Sequence, residues 1–183
     1  YYTFGYGAAQ GLGQYFTGGF GEDRWDKQSK ELNLSILPWK EGGKVILGLL
    51  HNLDALSSIY VNMNRESVSK QIIEIVKRFK NTYTIQLKKH PKGGNMKFAA
   101  KEIAEKDINK ALKNNIHSTF SWHSNAAIYS LLKGIPTVVL DRMSPIYQYC
   151  SNTIEDLKEP KRPDRLKVMQ ELSYRQWNIE EIS

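Results

Sequence analysis

Apolar and polar residues follow two different periods along the chain, and these alternate from about residue 44 onward. Continuous apolar runs bounded by glycine, such as GGKVILGLL, are typical of strands buried on both faces of a parallel sheet. Between Glu66 and Phe79, apolar residues recur at helical spacing instead, which predicts an amphipathic helix of about four turns. Four strands are predicted, at residues 44–50, 83–88, 116–119 and 135–140.

Further helical patterns separate the later strands. KFAAKEIAEKDINKALKNN (97–115) indicates one or two helices, and SNAAIYSLLKG (124–134) indicates a helix ended by Gly134. Because strands alternate with helices, we predict an α/β fold with a parallel, Rossmann-like sheet and helices on both faces. Ligands of such sheets bind beyond the carboxyl ends of the strands, near the point where strand order reverses.

The length of 183 residues suits one ordinary domain. Residues 1–40 are rich in Gly, Tyr, Phe and Trp and show neither period, which predicts an irregular arm or the remnant of an N-terminal domain. Residues 41–160 form the predicted Rossmann-like domain, and 161–183 a C-terminal helical segment with Trp177 as its packing anchor. Since many exposed aromatic residues are a liability for a monomer, we expect the arm to pack on a neighbouring chain of a homo-oligomer or on a missing domain.

Apolar run lengths and cysteine content set limits on location. The longest apolar runs, VILGLL and IPTVVL, fall far short of the roughly 20 residues that cross a bilayer, so no membrane span is predicted. Cys150 is the only cysteine, which excludes an intrachain disulfide and favours the cytoplasm. The chain begins with Tyr1 rather than Met, and no signal peptide precedes the first element, so we expect a trimmed chain or a piece of a longer protein.

The chain is basic, with a formal net charge of +7 and a pI near 9.4. This charge favours an acidic partner: nucleic acid, a phosphorylated small molecule or an anionic lipid surface. Much of the excess lies between Lys77 and Lys101, where most of the lysines are expected to form a solvated face.

Two segments at predicted strand ends carry residues suited to an anion. KKHPKGG (88–94) places Lys89, His90 and Pro91 directly after the second strand. STFSWHSNAA (118–127) leaves the third strand and enters a helix, and free N–H groups at a helix start together with short hydroxyl side chains favour phosphate. The candidates in this second segment are Ser118, Thr119, Ser121, His123, Ser124 and Asn125. GxxxxGK[ST] and GxGxxG are both absent from the sequence.

Simpler explanations exist for the same residues. A His-Pro pair after a strand is often only a turn, because proline biases the preceding residue towards extended geometry. Ser118, Thr119 and Ser121 are also suited to capping the following helix. His51 and His117 are assigned structural or exposed roles, and no spacing among the four histidines is typical of zinc, so no metal is predicted.

The order of these motifs resembles the C-terminal, nucleotide-sugar-binding half of a GT-B glycosyltransferase. The series runs over residues 44–183 as a strand, HP, a helix, a strand, ST…S…NAA, LLKGIPTVVLD and YRQWNIEEI. It is most similar to the bacterial capsule and lipopolysaccharide enzymes that use CMP-sugars, the polysialyltransferases and Kdo transferases. The resemblance implies that the fold is one half of a GT-B fold and that no cofactor is needed beyond the nucleotide-sugar substrate.

The resemblance also implies roles for individual residues. His90 of the HP motif and the hydroxyls of Ser118, Thr119 and Ser121 would contact the donor phosphate, while Asn125 and Ala127 match the helix that follows. Gly134 to Val138 match a GKPVV-type segment of the family. The acidic catalytic motif of the family belongs to an N-terminal domain, which we expect this chain to lack.

A glycosyltransferase is therefore the leading functional hypothesis. Transfer requires stabilisation of the departing nucleotide phosphate, which a protonated histidine and N–H or hydroxyl donors supply without metal, and His90 is the candidate for this role. A base must also deprotonate the acceptor hydroxyl. Glu22 and Asp23 are the only candidates for that base, although a surface turn explains them more simply.

Two other functions remain open from the sequence. One keeps the fold but makes the acceptor a modified base in DNA, as some phage glycosyltransferases do. The other is a non-catalytic module that binds nucleotides or nucleic acid. Titration of duplex DNA at several salt concentrations separates DNA binding from glycan transfer, because phosphate contacts give a steep salt dependence.

Overall fold

A computed structural model describes residues 2–3, 21–52, 65–90, 97–113 and 115–177, with only the backbone of 2–3 and 176–177. Its elements, in chain order, are β1 (Tyr2–Thr3), α1 (Asp23–Glu31), β2 (Val45–Leu49), α2 (Arg65–Phe79), β3 (Thr84–Lys88), β4 (Lys101–Glu102), α3 (Ile108–Ala111), β5 (Ile116–Ser121), α4 (Ala126–Leu132), β6 (Thr137–Val139), two 3-10 turns (Tyr147–Tyr149 and Glu155–Lys158), α5 (Arg165–Ser173) and β7 (Gln176–Trp177).

Five strands form one all-parallel sheet in the order β4-β3-β2-β5-β6. The chain enters the sheet at its central strand, β2, and continues outward through β3 to β4. It then returns to add β5 and β6 on the other side of β2. Strand order therefore reverses between β2 and β5, which makes their carboxyl ends the switch point of the sheet. The predicted α/β, Rossmann-like fold class is confirmed.

Strand β2 is buried on both faces, as its continuous apolar run predicts. Ile46 and Leu50 pack on one side against Ile72 and Ile75 of α2. Leu47 and Leu49 point to the opposite side, in a cluster with the chain around α3 and the start of α4. The sheet is thus covered by helices on both faces.

Gly48 allows the strands beside β2 to close over it. A Cβ added there would lie 2.5 Å from Phe120 Cζ of β5 and 2.6 Å from Leu87 Cδ2 of β3. These two side chains occupy the space above the glycine, so the small residue at this point is a packing requirement of the sheet.

The region between β3 and β5 differs from its prediction. One or two helices are predicted over residues 97–115, but Lys101 and Glu102 pair with Gln86 and Leu87 as the edge strand β4. Only the four-residue helix α3 forms, and the Asp107 side chain caps it by accepting a hydrogen bond from Asn109 N at 2.8 Å. Pairing with β3 overrides the helix propensity of an Ala-, Lys- and Glu-rich segment.

Helix α1 lies inside the stretch predicted to be irregular, so that expectation is wrong for residues 23–31. Trp25 is buried among residues of α4 and α5, and the side chains of Arg24 and Gln28 each donate to Ser173 O at 3.2 Å. This part of the first 40 residues packs on the domain itself, while residues 4–20 lie outside the described residues. The assignment of residues 1–40 to an arm or to the remnant of an N-terminal domain stays a prediction.

The C-terminal segment also differs from its prediction in one respect. Helix α5 ends at Ser173, and Trp177 lies beyond it in β7, which pairs antiparallel with β1 through Tyr2 and Trp177. Trp177 is therefore part of a short ladder between two distant chain segments, not of a helix. Within the described ranges, no helix is long and apolar enough to cross a membrane.

A matched pair of glycine substitutions tests how residues 37–40 close against the end of α4. Gly134 has a φ of +71°, and a Cβ there would overlap the Pro38 carbonyl oxygen, whereas Gly42 has a φ of +69° with nothing within 4 Å. We expect Gly42→Ala to lower the free energy of unfolding by about 1 kcal/mol through backbone strain alone. Gly134→Ala adds the steric clash, and we expect a loss of about 3 kcal/mol. Urea unfolding followed by circular dichroism measures both, and equal losses would contradict the described contact.

Candidate functional site

A cleft of about 370 Å³ opens at the carboxyl edge of the sheet. It lies beyond the ends of β2, β3 and β5 and includes the switch point between β2 and β5. Its size falls in the range of small-molecule sites, and its position is where α/β sheets bind ligands. Polar lining comes mainly from His51, Lys88, His90, Lys106, His123 and Asn125.

Three imidazoles converge on this cleft because the three strands end at the same level. Parallel register pairs Leu49 of β2 with Lys88 of β3 and with Ser121 of β5, and each of these is the last residue of its strand. His51, His90 and His123 each follow their strand end by two residues, so all three reach the same edge.

His51 is the most deeply buried of these histidines, with 6% of its surface exposed. Burial lowers the pKa of His51 to about 4, helped by the nearby His123 and His90 and opposed by Asp141. The ring is therefore neutral at neutral pH. Neither ring nitrogen has a hydrogen-bond partner among the residues that the structure describes, and the ring meets Trp122 edge-on with centroids 6.2 Å apart.

His123 lies beside a carboxylate. Its Nδ1 is 3.5 Å from Asp141 Oδ2, and Asp141 follows the end of β6. The other oxygen of Asp141 accepts a hydrogen bond from Met143 N at 3.0 Å, which holds the carboxylate in place. A carboxylate thus lies beside the imidazole at this edge of the cleft.

Lys88, the last residue of β3, brings a buried ammonium to the cleft. It is 6% exposed, and its Nζ donates to Lys106 O at 2.8 Å. Burial lowers the pKa of Lys88, an effect that Glu105 and Asp107 oppose from a distance. In the described part of the chain, no carboxylate forms an ion pair with Lys88 within 4 Å.

Lys89 also lines the cleft, but its charge is already paired. Its Nζ lies 2.8 Å from Glu102 Oε1. The same ammonium lies over the Phe98 ring, 6.0 Å from the ring centroid. Lys88, which the sequence reasoning left among the basic residues of the face, thus offers the less compensated cation. Pro91, the other residue of the predicted motif, lies outside the described residues.

The three predicted hydroxyls do not line the cleft. Strand β5 continues to Ser121 instead of ending at residue 119, which places Ser118, Thr119 and Ser121 inside the sheet, all fully buried. Ser118 Oγ donates to Leu157 O at 3.1 Å, and Thr119 Oγ1 donates to Thr137 Oγ1 at 2.8 Å. None of the three side chains is therefore among those that line the cleft, and their contact with a donor phosphate stays a prediction.

Residues after β5 do reach the cleft. Ser124 lines it and accepts a hydrogen bond from Ala126 N at 3.3 Å, so its hydroxyl serves the start of α4 as well. Asn125 also lines the cleft and is exposed. The structure thus brings together Lys89, His90, His123, Ser124 and Asn125 from the predicted set.

The remaining titratable candidates lie elsewhere. Asp23 opens α1 and accepts a hydrogen bond from the Tyr174 hydroxyl, and neither it nor Glu22 lines the cleft. His117 stacks on Tyr83 with ring centroids 4.5 Å apart, near the start of β5. Over the described ranges, no group of three or more His, Cys, Asp or Glu side chains is arranged to hold a metal ion.

Sequence reasoning missed His51 as a cleft residue. The signal that could have found it is position: His51 follows the apolar run of the first strand in the same way that His90 follows the second. The sequence analysis instead assigned it a structural or exposed role.

The lowered pKa of His51 predicts a specific acid sensitivity. Because the folded state disfavours protonation, with a pKa of about 4 against an ordinary 6.5, this residue's contribution to stability is present above pH 6.5 and is lost as pH falls towards 4. Between pH 7 and pH 5 the loss from His51 is about 2 kcal/mol. Urea unfolding at both pH values should show a smaller loss in His51→Gln than in wild type. Equal losses in the two proteins would contradict the assignment.

Comparison with known proteins finds similarity in fold but not in sequence. No family model matches the chain, and no curated protein matches it in sequence. Among solved structures, it is similar to KpsC, a beta Kdo 2,4 transferase of Thermosulfurimonas dismutans, with a TM-score of 0.53 and 12% sequence identity. The match covers 85% of this chain and 56% of that one, so the chain spans little more than half of its structural neighbour. The described chain thus has a glycosyltransferase-like, Rossmann-like fold, consistent with one half of a GT-B fold.

Proposed function

We propose that this chain is a glycosyltransferase or its donor-binding half, which binds a CMP-linked sugar in the cleft and serves its transfer to a surface glycan. The observation that supports it most is the buried ammonium of Lys88 at the end of β3, in the same cleft as three converging imidazoles. The fold, similar to that of a Kdo transferase, and the order of the sequence motifs support the same function.

The charge balance of the cleft favours an anionic ligand. A buried ammonium loses hydration, and no carboxylate of the described residues lies within 4 Å of Lys88 to form an ion pair, so a ligand that brings negative charge is attracted to it. Lys106 adds a second cation to the lining. A nucleotide phosphate has the charge and the acceptor oxygens to use both.

The same groups suit the chemistry of transfer. As the bond between sugar and phosphate breaks, negative charge grows on the nucleotide phosphate. A fixed cation therefore stabilises the transition state more than the ground state. Lys88 and His90 are assigned this role. His51, neutral at neutral pH, is not.

Deprotonation of the acceptor is assigned to a group outside the described cleft. Glu22 and Asp23 do not line it, which removes the two candidates from the sequence. The resemblance to GT-B enzymes attributes this step to an acidic residue of an N-terminal domain. The glycan acceptor would then approach the open side of the cleft.

Substitution of His90 tests the proposal. We expect His90→Ala to weaken CMP binding roughly tenfold to a hundredfold, because a charge-assisted contact of about 1.5 to 3 kcal/mol is lost. Lys97→Ala, which removes an exposed lysine after the same strand, should change the affinity little. Calorimetric titration of CMP and UMP into all three proteins measures this, with melting temperatures recorded alongside.

Three results would count against the proposal. Wild type that binds neither nucleotide rejects the function, and a preference for UMP rejects the CMP-linked donor. Unchanged affinity in His90→Ala with an intact fold removes His90 from the site.

A further inference from the structure

His51 has no part in the phosphate chemistry assigned above, yet it lines the same cleft. Its ring is almost fully buried, and both ring nitrogens are without hydrogen bonds to the described residues. A buried donor and acceptor left unmatched cost free energy, so a ligand that satisfies both is favoured at this position.

The surroundings of His51 fix both its position and its charge. Trp122 contacts the ring edge-on, and the Trp122 indole itself donates to Gln71 Oε1 of α2, which holds this wall in place. The charged and titratable groups around the ring come from the ends of the neighbouring strands. They are Lys88 at the end of β3, His90 after β3, His123 after β5 and Asp141 after β6.

A neutral imidazole offers one N–H donor and one nitrogen acceptor. A hydroxyl group both donates and accepts, so it can pair with either ring nitrogen of the neutral imidazole. The phosphate diester of a nucleotide-sugar has only acceptors, so it can accept from the N–H but cannot pair with the other nitrogen unless the ring is protonated, which at pH 7 and a pKa of about 4 is disfavoured roughly a thousandfold. The ammonium of Lys88 already carries its charge and meets the phosphate without that cost.

We propose that His51 is a substrate-binding residue that hydrogen-bonds a hydroxyl of the donor, on the ribose or on the transferred sugar, while Lys88 binds the donor phosphate. This assignment rests on the proposed function. It fixes the orientation of the donor, with the uncharged part towards the end of β2 and the phosphate towards the end of β3.

Two variants of His51 and one of Lys88 separate the two contacts. His51→Phe keeps an aromatic ring but removes donor and acceptor, while His51→Gln keeps both without a charge. Lys88→Met keeps most of the aliphatic stem and removes the ammonium, and Lys97→Met is its exposed control. Each protein is titrated by calorimetry with CMP, with 2′,3′-dideoxy-CMP and with CMP-N-acetylneuraminate, and urea unfolding reports the fold of each variant.

We expect His51→Phe to weaken binding roughly tenfold for the ligand that carries the hydroxyl, and His51→Gln to stay within about threefold of wild type. A loss with CMP but not with dideoxy-CMP identifies a ribose hydroxyl. A loss only with CMP-N-acetylneuraminate identifies the sugar. Lys88→Met should weaken all three ligands roughly tenfold to a hundredfold, and Lys97→Met none.

Proton uptake provides a second readout that does not depend on the fold of His51→Phe. The diester of CMP-N-acetylneuraminate lacks the ionisation that phosphate monoesters have near pH 6. Titrations at pH 7 in buffers of different ionisation enthalpy should show the same proton count for wild type and His51→Gln. Uptake that His51→Gln abolishes would overturn the assignment, because His51 would then bind the phosphate in its charged form.

The remaining outcomes are also decisive. Unchanged affinity of folded His51→Phe for every ligand overturns the assignment of His51 and leaves the proposed function standing. Failure of wild type to bind any of the three ligands overturns the proposed function, and the assignment with it.

Discussion

The parallel pairing of β2 with both β3 and β5 determines where the chemistry of this molecule lies. Their register brings Leu49, Lys88 and Ser121 to one level, so the residues that follow each strand meet at one edge. A slip of one residue would move a strand by about 3.3 Å and turn its side chains to the opposite face. Gly48 secures this pairing, because Leu87 and Phe120 close over a position without a side chain.

Burial then determines which polar side chains at that edge carry an uncompensated charge and which are neutral. Lys89 and Glu102 neutralise each other at the partly exposed side, while Lys88 is buried and has no carboxylate within 4 Å among the described residues. His51 is equally buried, and burial together with the nearby imidazoles keeps its ring neutral at neutral pH. The cleft therefore offers a cation at Lys88 and a neutral hydrogen-bonding group at His51. This pair suits a ligand that carries both a phosphate and hydroxyl groups.

Sequence patterns were sufficient for four of the five strands of the sheet but not for the site. Apolar runs located β2, β3, β5 and β6 because buried parallel strands leave a continuous signal. Helix α1 was missed because its charged residues hid the helical period. Strand β4 was missed because it forms by edge pairing of exposed Lys101 and Glu102. The hydroxyls of Ser118 and Thr119 were misplaced, and His51 overlooked, because strand ends and register arise from long-range contacts.

The ladder between β1 and β7 joins segments separated by nearly the whole chain. Two residue pairs are too few to hold such a loop closed by themselves, since closing a long loop costs entropy that short ladders do not repay. The ladder therefore depends on the folded domain to bring the two segments together, and we expect it to form late in folding. Its backbone amides belong to the first class to exchange with solvent, well before those of β2.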